Sequence, residues 1–187
     1  MSRHAARTYA LLSWALLLTA LAPAGCDQIN PFASSKEGAV ESMRTAQPFA
    51  APLWILPDLT GQTRRLEEFR GQIVLLNFWA TWCPPCRGEI PDLIQIDQTY
   101  RARGVDVVGI SMDDDGARAV QAFVERFGIT YPVVLGDLDT AARYRVSGIP
   151  TSYLVDRAGR VVKRWVGPYS QEAFAAQIEA LLAQEAK

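Results

Sequence analysis

Two cysteines separated by two prolines follow an apolar run near the middle of this chain. Residues 73–91 read IVLLNFWATWCPPCRGEIP, and the nearly continuous apolar character of Ile73–Trp79 predicts a strand covered on both faces. A helical pattern follows, so this strand should deliver Cys83 and Cys86 to a helix N-terminus. The spacing places the two cysteines about one helical turn apart, where a disulfide can form at little backbone cost.

The predicted helix start has a chemical consequence for Cys83. Unpaired N–H groups and the partial positive charge of a helix N-terminus stabilise a thiolate. Cys83 is therefore predicted to be a nucleophile near neutral pH. Pro84 and Pro85 would occupy the first turn, where a missing N–H is tolerated, and would stiffen the loop.

The string NFWATWCPPCRGEIP resembles the thioredoxin superfamily, and in particular its membrane-tethered branch, the TlpA/ResA-like thiol-disulfide oxidoreductases. The resemblance extends from Ala50 to about Leu182. It implies an α/β thioredoxin-like fold, with a central mixed sheet flanked by helices, an N-terminal hairpin and an inserted βα unit.

Length and composition are consistent with one such domain. The chain has 187 residues, and its hydrophobic content of 49% can fill a core. The formal net charge is −1, which argues against a nucleic-acid partner.

The N-terminal segment, residues 1–25, has the pattern of a lipoprotein-type signal peptide. A basic start precedes a short apolar stretch, and Leu21–Cys26 resembles a bacterial lipoprotein cleavage box. This pattern predicts lipidation of Cys26. An uncleaved anchor and simple secretion are the alternatives, because Pro23 stands where such signals usually carry a leucine-like residue.

Cysteine counting also favours lipidation of Cys26. Three cysteines leave one unpaired in an oxidising compartment, and a lipid would remove that free thiol. The alternative is an incidental free cysteine. In the bacterial lipoproteins that this box resembles, an aspartate such as Asp27 after the lipid cysteine often signals inner-membrane retention. We therefore expect a protein anchored through Cys26 on the periplasmic side of the bacterial inner membrane.

The rest of the chain divides into a linker and a folded domain. Residues 26–48 are small and polar and predict a flexible linker after the lipidated cysteine, with a partly helical stalk through Ala39–Arg44 as the alternative. Residues 49–187 predict the thioredoxin-like domain. Within the domain, the patterns predict two hairpins, formed by Leu53–Leu56 with Thr63–Leu66 and by Thr151–Asp156 with Arg160–Trp165. They also predict a buried strand at Val105–Ile110 and an acidic helix cap at Asp113–Asp115. Residues 112–135 resemble the inserted βα unit.

A second part of the predicted site is Gly148-Ile149-Pro150-Thr151. In the superfamily that the chain resembles, this proline is cis and faces the dithiol, and backbone groups of Ile149 would then be available to an extended substrate. The alternative is an ordinary turn before a strand. Trp82, Pro84 and Pro85 are the other predicted substrate-binding residues, and Trp82 is expected to shield and shape the site.

Glu89 is the predicted base for the second thiol. Cys86 must lose a proton before it attacks Cys83, and Glu89 lies three residues further on the same helical side. It matches a glutamate that ResA-like members place near their cysteines. The alternative is a solvent-facing helix residue. Asn77 stands where thioredoxins carry a buried aspartate, so their acid-base scheme is not expected here.

Other uses of the cysteine pair are less well supported. Zinc needs further ligands, yet the only histidine is His4, and haem attachment would need a histidine at Arg87. The peroxide-reducing enzymes of related fold use a Thr-x-x-Cys setting that is missing. We predict no metal and no cofactor. Copper(I) delivery by the two thiolates is the alternative function.

These patterns predict an extracytoplasmic thiol-disulfide oxidoreductase. The resemblance implies a reductant of specific protein disulfides, such as those of apocytochrome c or of a copper-site subunit. It also implies a membrane thiol transporter as the electron donor. A tether would raise the local concentration of such partners.

Overall fold

The computed structural model describes residues 44–185, with side chains described from residue 47 onward. The predicted signal peptide, the predicted lipidation site at Cys26 and most of the predicted linker lie outside the described residues. No helix within residues 44–185 has the length and apolar character needed to cross a membrane.

A six-stranded mixed sheet forms the centre of the described domain. The strands along the chain are β1 (Arg44–Ala50), β2 (Ile55–Pro57), β3 (Thr63–Arg65), β4 (Ile73–Trp79), β5 (Val105–Ser111), β6 (Val133–Leu135), β7 (Thr151–Val155) and β8 (Arg160–Val166). The sheet order is β1-β8-β7-β4-β5-β6. Strand β4 pairs parallel with β5 and antiparallel with β7, and every one of its side chains is buried. The continuous apolar run therefore forms the central strand, as predicted.

Helices cover both faces of this sheet in the described chain. They are α1 (Pro84–Tyr100), α2 (Ala117–Phe127), α3 (Leu138–Arg143) and α4 (Gln171–Glu185), with 3-10 turns at Leu66–Phe69 and Arg101–Arg103. The arrangement confirms the predicted central mixed sheet flanked by helices.

Alternate side chains of β4 point into two separate cores. Leu75 and Trp79 pack in one core with buried residues of α1, α2 and α4. Leu76 and Phe78 pack in the other with buried residues between Ala51 and Phe69, including Trp54, and with Tyr144 at the end of α3. Burying an aliphatic or aromatic side chain of this size contributes about 1.5–3 kcal/mol relative to leaving it exposed. Strand β4 thus ties both layers together.

Both additions to the minimal fold are present. Strands β2 and β3 form an antiparallel hairpin, which confirms the predicted N-terminal hairpin. The inserted unit contributes α2 and β6, and β6 extends the sheet by pairing parallel with β5. A bridge between Asp58 and Val134 connects the hairpin to this outer strand.

The folded domain begins earlier than the sequence predicts. Strand β1 starts at Arg44, within the predicted linker of residues 26–48, and pairs antiparallel with β8 at the edge of the sheet. Residues 47–50, the part of β1 whose side chains are described, are all exposed and show no alternation of buried and exposed positions. Its pairing depends on backbone groups, which a side-chain pattern does not report.

Candidate active site

The dithiol lies where β4 ends and α1 begins. Cys83 and Cys86 are joined in a disulfide, with 5.3 Å between their Cα atoms. Cys83 is the N-cap of α1, and prolines occupy the first two helical positions. Because neither proline has an N–H, the first free helical donor is the N–H of Cys86, which lies 3.3 Å from the Cys83 sulfur. This donor is placed to stabilise a Cys83 thiolate when the disulfide is reduced.

The two cysteines differ little in exposure. Cys83 is 3% exposed and Cys86 is 1% exposed, so both side chains are buried in the disulfide form. Trp82, the residue before Cys83, is 63% exposed. Pro84 and Pro85 are also exposed. Trp82 and both prolines therefore present contact surface beside the disulfide.

The loop before β7 faces the dithiol from the other side. The Ile149–Pro150 peptide bond is cis, as the resemblance implied. The carbonyl oxygen of Ile149 lies 3.8 Å from the Cys83 sulfur. Pro150 is buried, and its carbonyl accepts a hydrogen bond from the Gly167 N–H at 2.9 Å. The cis-proline loop and the disulfide thus form one site at the carboxyl end of β4.

Glu89 is a buried carboxyl on α1 and does not face solvent. One carboxylate oxygen accepts a hydrogen bond from the Asn77 side-chain amide and the other accepts from the backbone N–H of Tyr169, each at 2.9 Å. The pKa of Glu89 is raised from its ordinary value of 4.5 to about 7: burial is the main cause, the two hydrogen bonds oppose the rise, and the Asp92 carboxylate adds a smaller increase. Glu89 can therefore exchange a proton near neutral pH.

Asn77 connects Glu89 to the sheet. Its amide nitrogen donates to Glu89 and also to the Ser152 hydroxyl, again at 2.9 Å. Both N–H bonds of the amide are thereby used, and Asn77 is only 1% exposed. The residue cannot carry a proton itself, but it orients the carboxyl that can.

Asp113, predicted to cap a helix, instead binds the turn before the dithiol. Asp113 accepts hydrogen bonds from the backbone N–H and the hydroxyl of Thr81, and from the Ser111 hydroxyl. The predicted acidic cap of α2 is wrong, because Gly116 is the N-cap and no side chain caps this helix. Asp113 instead fastens the loop after β5 to the turn that carries Trp82 and Cys83.

Cys83, Cys86, Ile149 and Pro150 are therefore brought together, with Glu89 buried on the same helix. Sequence reasoning missed Thr81, Asp113, Ser152 and the backbone of Tyr169 as supporting groups. Within residues 44–185, no three His, Cys, Asp or Glu side chains are grouped so as to hold a metal ion.

A CxxC disulfide at a helix N-terminus, facing a cis-proline on a mixed sheet, defines a thioredoxin-fold thiol-disulfide oxidoreductase. The AhpC/TSA family matches residues 48–164, and the chain belongs to that family, among the ResA-like thiol-disulfide oxidoreductases.

Known proteins of the same kind are similar over most of the domain. The thiol-disulfide oxidoreductase ResA of Geobacillus thermodenitrificans is 34% identical over 142 residues, covering 75% of this chain and 81% of that protein. ResA of Geobacillus kaustophilus is 33% identical over 168 residues, covering 89% and 92%.

Solved structures of thiol-disulfide exchange proteins are also similar to this domain. A thioredoxin-family thiol:disulfide interchange protein from Chlorobium tepidum has a TM-score of 0.67 at 33% identity, covering 73% of this chain and 98% of that one. A secreted thiol-disulfide isomerase from Corynebacterium glutamicum has a TM-score of 0.70 at 27% identity, covering 80% and 96%. The protein is an enzyme that exchanges thiols and disulfides.

Proposed function

We propose that this protein is an extracytoplasmic dithiol reductase that acts on specific protein disulfides. The observation that carries the proposal is the placement of the Cys83 sulfur, beside the Cys86 N–H on one side and the Ile149 carbonyl on the other. A substrate strand that pairs with the backbone at Ile149 would bring its disulfide to Cys83.

The reaction begins with the reduced dithiol. The Cys83 thiolate attacks one sulfur of the client disulfide, forming a mixed disulfide and releasing the other client sulfur as a thiolate that takes up a proton. The Cys86 thiolate then attacks the Cys83 sulfur, which forms the Cys83–Cys86 disulfide and releases the second client thiol. Two electrons pass from the enzyme dithiol to the client. A thiol donor must then reduce the enzyme again.

Glu89 is the proposed base for the second attack. It lies three residues after Cys86 on α1, which places both side chains on one helical side. With a pKa of about 7, roughly half of the Glu89 carboxyls are ionised at neutral pH and can accept the Cys86 proton. The carboxyl returns the proton to solvent or to the departing client thiolate.

The proposed location is the periplasmic side of the inner membrane, with the domain tethered through a lipid on Cys26. Support comes from the signal pattern of residues 1–25 and from the similarity to a secreted isomerase. The proposed clients are the haem-site cysteines of apocytochrome c or the cysteines of a copper-site subunit, and the proposed donor is a membrane thiol transporter. A Cys26→Ser variant should move from the membrane fraction to the soluble periplasmic fraction; unchanged fractionation would contradict the lipid anchor.

The attack order can be tested with two cysteine variants. Cys83→Ser should lose all turnover with a disulfide reporter, whereas Cys86→Ser should accumulate mixed disulfides with client proteins. Equal activity in the two variants would overturn the order.

Mass spectrometry of the clients trapped by Cys86→Ser in cells distinguishes an apocytochrome from a copper-site subunit. Tight one-to-one Cu(I) uptake by the reduced protein, without disulfide turnover, would instead indicate copper delivery.

A further inference from the structure

A groove lies between the dithiol turn and the inserted helix α2. It has a volume of about 320 Å³, and the lining residues that matter here are Trp82, Arg87, Ala122, Phe123, Arg126 and Phe127. We call it the α2 groove. Apart from Trp82, none of these lining residues has a role in the function proposed above.

Aromatic contacts build the apolar part of the α2 groove. Phe123 and Phe127 are stacked, with ring centroids 4.1 Å apart, and Phe123 also contacts the buried Trp79 at 5.4 Å. Trp79 is the last residue of β4, so these rings are anchored to the strand that carries the dithiol. Ala122 is exposed and has a small side chain, which leaves the groove open. The contact with Trp79 therefore packs the aromatic rings of the α2 groove against the core.

The ionisable residues of the α2 groove are both cationic. The Arg87 guanidinium on α1 lies 5.5 Å from the centre of the Phe127 ring. Arg126 on α2 is exposed and also lines the groove. Neither arginine takes part in an ion pair with a residue in 44–185. A ligand with a carboxylate and an apolar side chain complements this combination of rings and guanidinium groups.

The groove starts next to the nucleophile. Trp82 is the residue before Cys83, and its exposed ring forms one wall of the α2 groove. A client chain joined to Cys83 extends in two directions from its own cysteine, so one side can pair with the backbone at Ile149 while the other contacts Trp82 and the groove. The groove is therefore within reach of residues close to the client cysteine.

We infer that the α2 groove binds the client segment beside the reactive cysteine and favours a segment with an acidic and an apolar side chain. The inference rests on the proposed reductase function and adds a preference among its substrates. The inserted helix thus supplies part of the substrate-binding surface.

The test uses two synthetic peptides with one intramolecular disulfide, identical except for Glu or Gln in the residues flanking each cysteine. We expect wild-type protein to reduce the Glu peptide with a kcat/KM about 3- to 10-fold higher, the range of one or two solvated charge pairs. Arg126→Glu should abolish or invert this ratio. Arg118→Glu is the matched control, because Arg118 is exposed on α2 outside the groove and its variant should retain the wild-type ratio.

A second pair of variants tests the shape of the groove. Ala122→Gln places a longer side chain in the α2 groove and should raise KM for both peptides about 3-fold or more. Ala176→Gln makes the same change on an exposed position of α4 and should leave both KM values unchanged. Thermal unfolding of all four variants verifies that each one folds.

The outcomes separate this inference from the proposed function. If wild-type protein reduces both peptides at equal rates, or if Arg126→Glu and Arg118→Glu retain the same ratio, the α2 groove is not a binding surface and the reductase function stands. If wild-type protein reduces neither peptide, the reductase function itself fails and the inference fails with it.

Discussion

Glu89 accepts a hydrogen bond on each carboxylate oxygen, yet its pKa is raised to about 7. Two hydrogen bonds to the charged form would lower the pKa of an exposed carboxyl. Here the loss of water on burial outweighs them, because Glu89 is only 2% exposed. The residue is held in one orientation and still takes up a proton near neutral pH, which are the two properties a positioned base requires.

The role of Glu89 predicts a specific change in pH dependence. In wild-type protein the rate of mixed-disulfide resolution should rise as pH increases through about 7, because the carboxylate form is the base. Glu89→Gln should lower this rate about 10- to 100-fold above pH 7, where the loss of the base is greatest. Single-turnover kinetics with a preformed mixed disulfide would measure it.

A neighbouring carboxyl provides the control for that experiment. Asp92→Asn removes a negative charge that raises the pKa of Glu89, so the rate should keep its pH dependence with a midpoint at lower pH. Identical profiles for wild type and Glu89→Gln would contradict the assignment of Glu89 as the base.

Asn77 sets the electrostatic surroundings of Glu89. Asn77→Asp would place a second buried carboxyl against the first, so the pair would release its second proton about one pH unit or more above the wild-type midpoint. The pH profile of resolution would show this displacement. Ser152→Ala removes the other acceptor of the Asn77 amide without adding charge, and its midpoint should stay close to that of wild type. An unmoved midpoint in Asn77→Asp would show that Glu89 does not govern the profile.

At the scale of elements, the reactive turn is fastened from β5. The turn between β4 and α1 carries Trp82 and Cys83, and Asp113 in the loop after β5 accepts two hydrogen bonds from Thr81 within that turn. The parallel pairing of β4 with β5 brings the two carboxyl ends together, with Trp79 opposite Ser111. The Asp113 side chain, just beyond β5, can therefore bind the turn that follows β4.

Loss of this acceptor should weaken the domain. Asp113→Asn can no longer accept from all three of its donors, and we expect a loss of about 1–3 kcal/mol in the free energy of unfolding. Asp115→Asn makes the same change at an exposed position of the same acidic run and should cost less than about 0.5 kcal/mol. Urea unfolding of the disulfide form measures both. Equal stabilities would refute a structural role for Asp113.

At the scale of the whole molecule, Glu89 connects separate parts of the fold. It lies on α1, bonds to β4 through Asn77, and accepts from Tyr169 in the segment between β8 and α4. Unfolding exposes the carboxyl to water and returns its pKa to the ordinary value of 4.5. Its ionisation is therefore linked to global stability.

The sign of this linkage is definite. Below pH 4.5 the carboxyl is protonated in both states, and its contribution to stability is fully present. As pH rises towards 7, the unfolded state releases the proton first, so up to about 3 kcal/mol of stability is lost. Glu89→Gln should remove this part of the pH dependence. Urea unfolding at several pH values between about 5 and 8 would measure it; parallel curves for the two proteins would contradict the raised pKa.

Local pattern was sufficient for the elements that present the dithiol. The continuous apolar run of Ile73–Trp79 predicted the central strand, and Pro84 and Pro85 marked the first turn of α1. These patterns involve residues that are close in the chain, so they can be interpreted without knowledge of the fold. The cis bond before Pro150 was inferred from resemblance, since no local rule distinguishes it from a turn.

By itself, the sequence thus determined the cysteine pair, the helix that presents it and the class of fold. Only the tertiary structure decided which distant groups support that pair. It joined Asp113 to Thr81, although the local sequence favours a helix cap, and it placed the Tyr169 N–H on Glu89. It also added β1 to the sheet through backbone pairing. The physical reason is that burial and long-range hydrogen bonds depend on neighbours from other elements, and a residue's own segment carries no record of them.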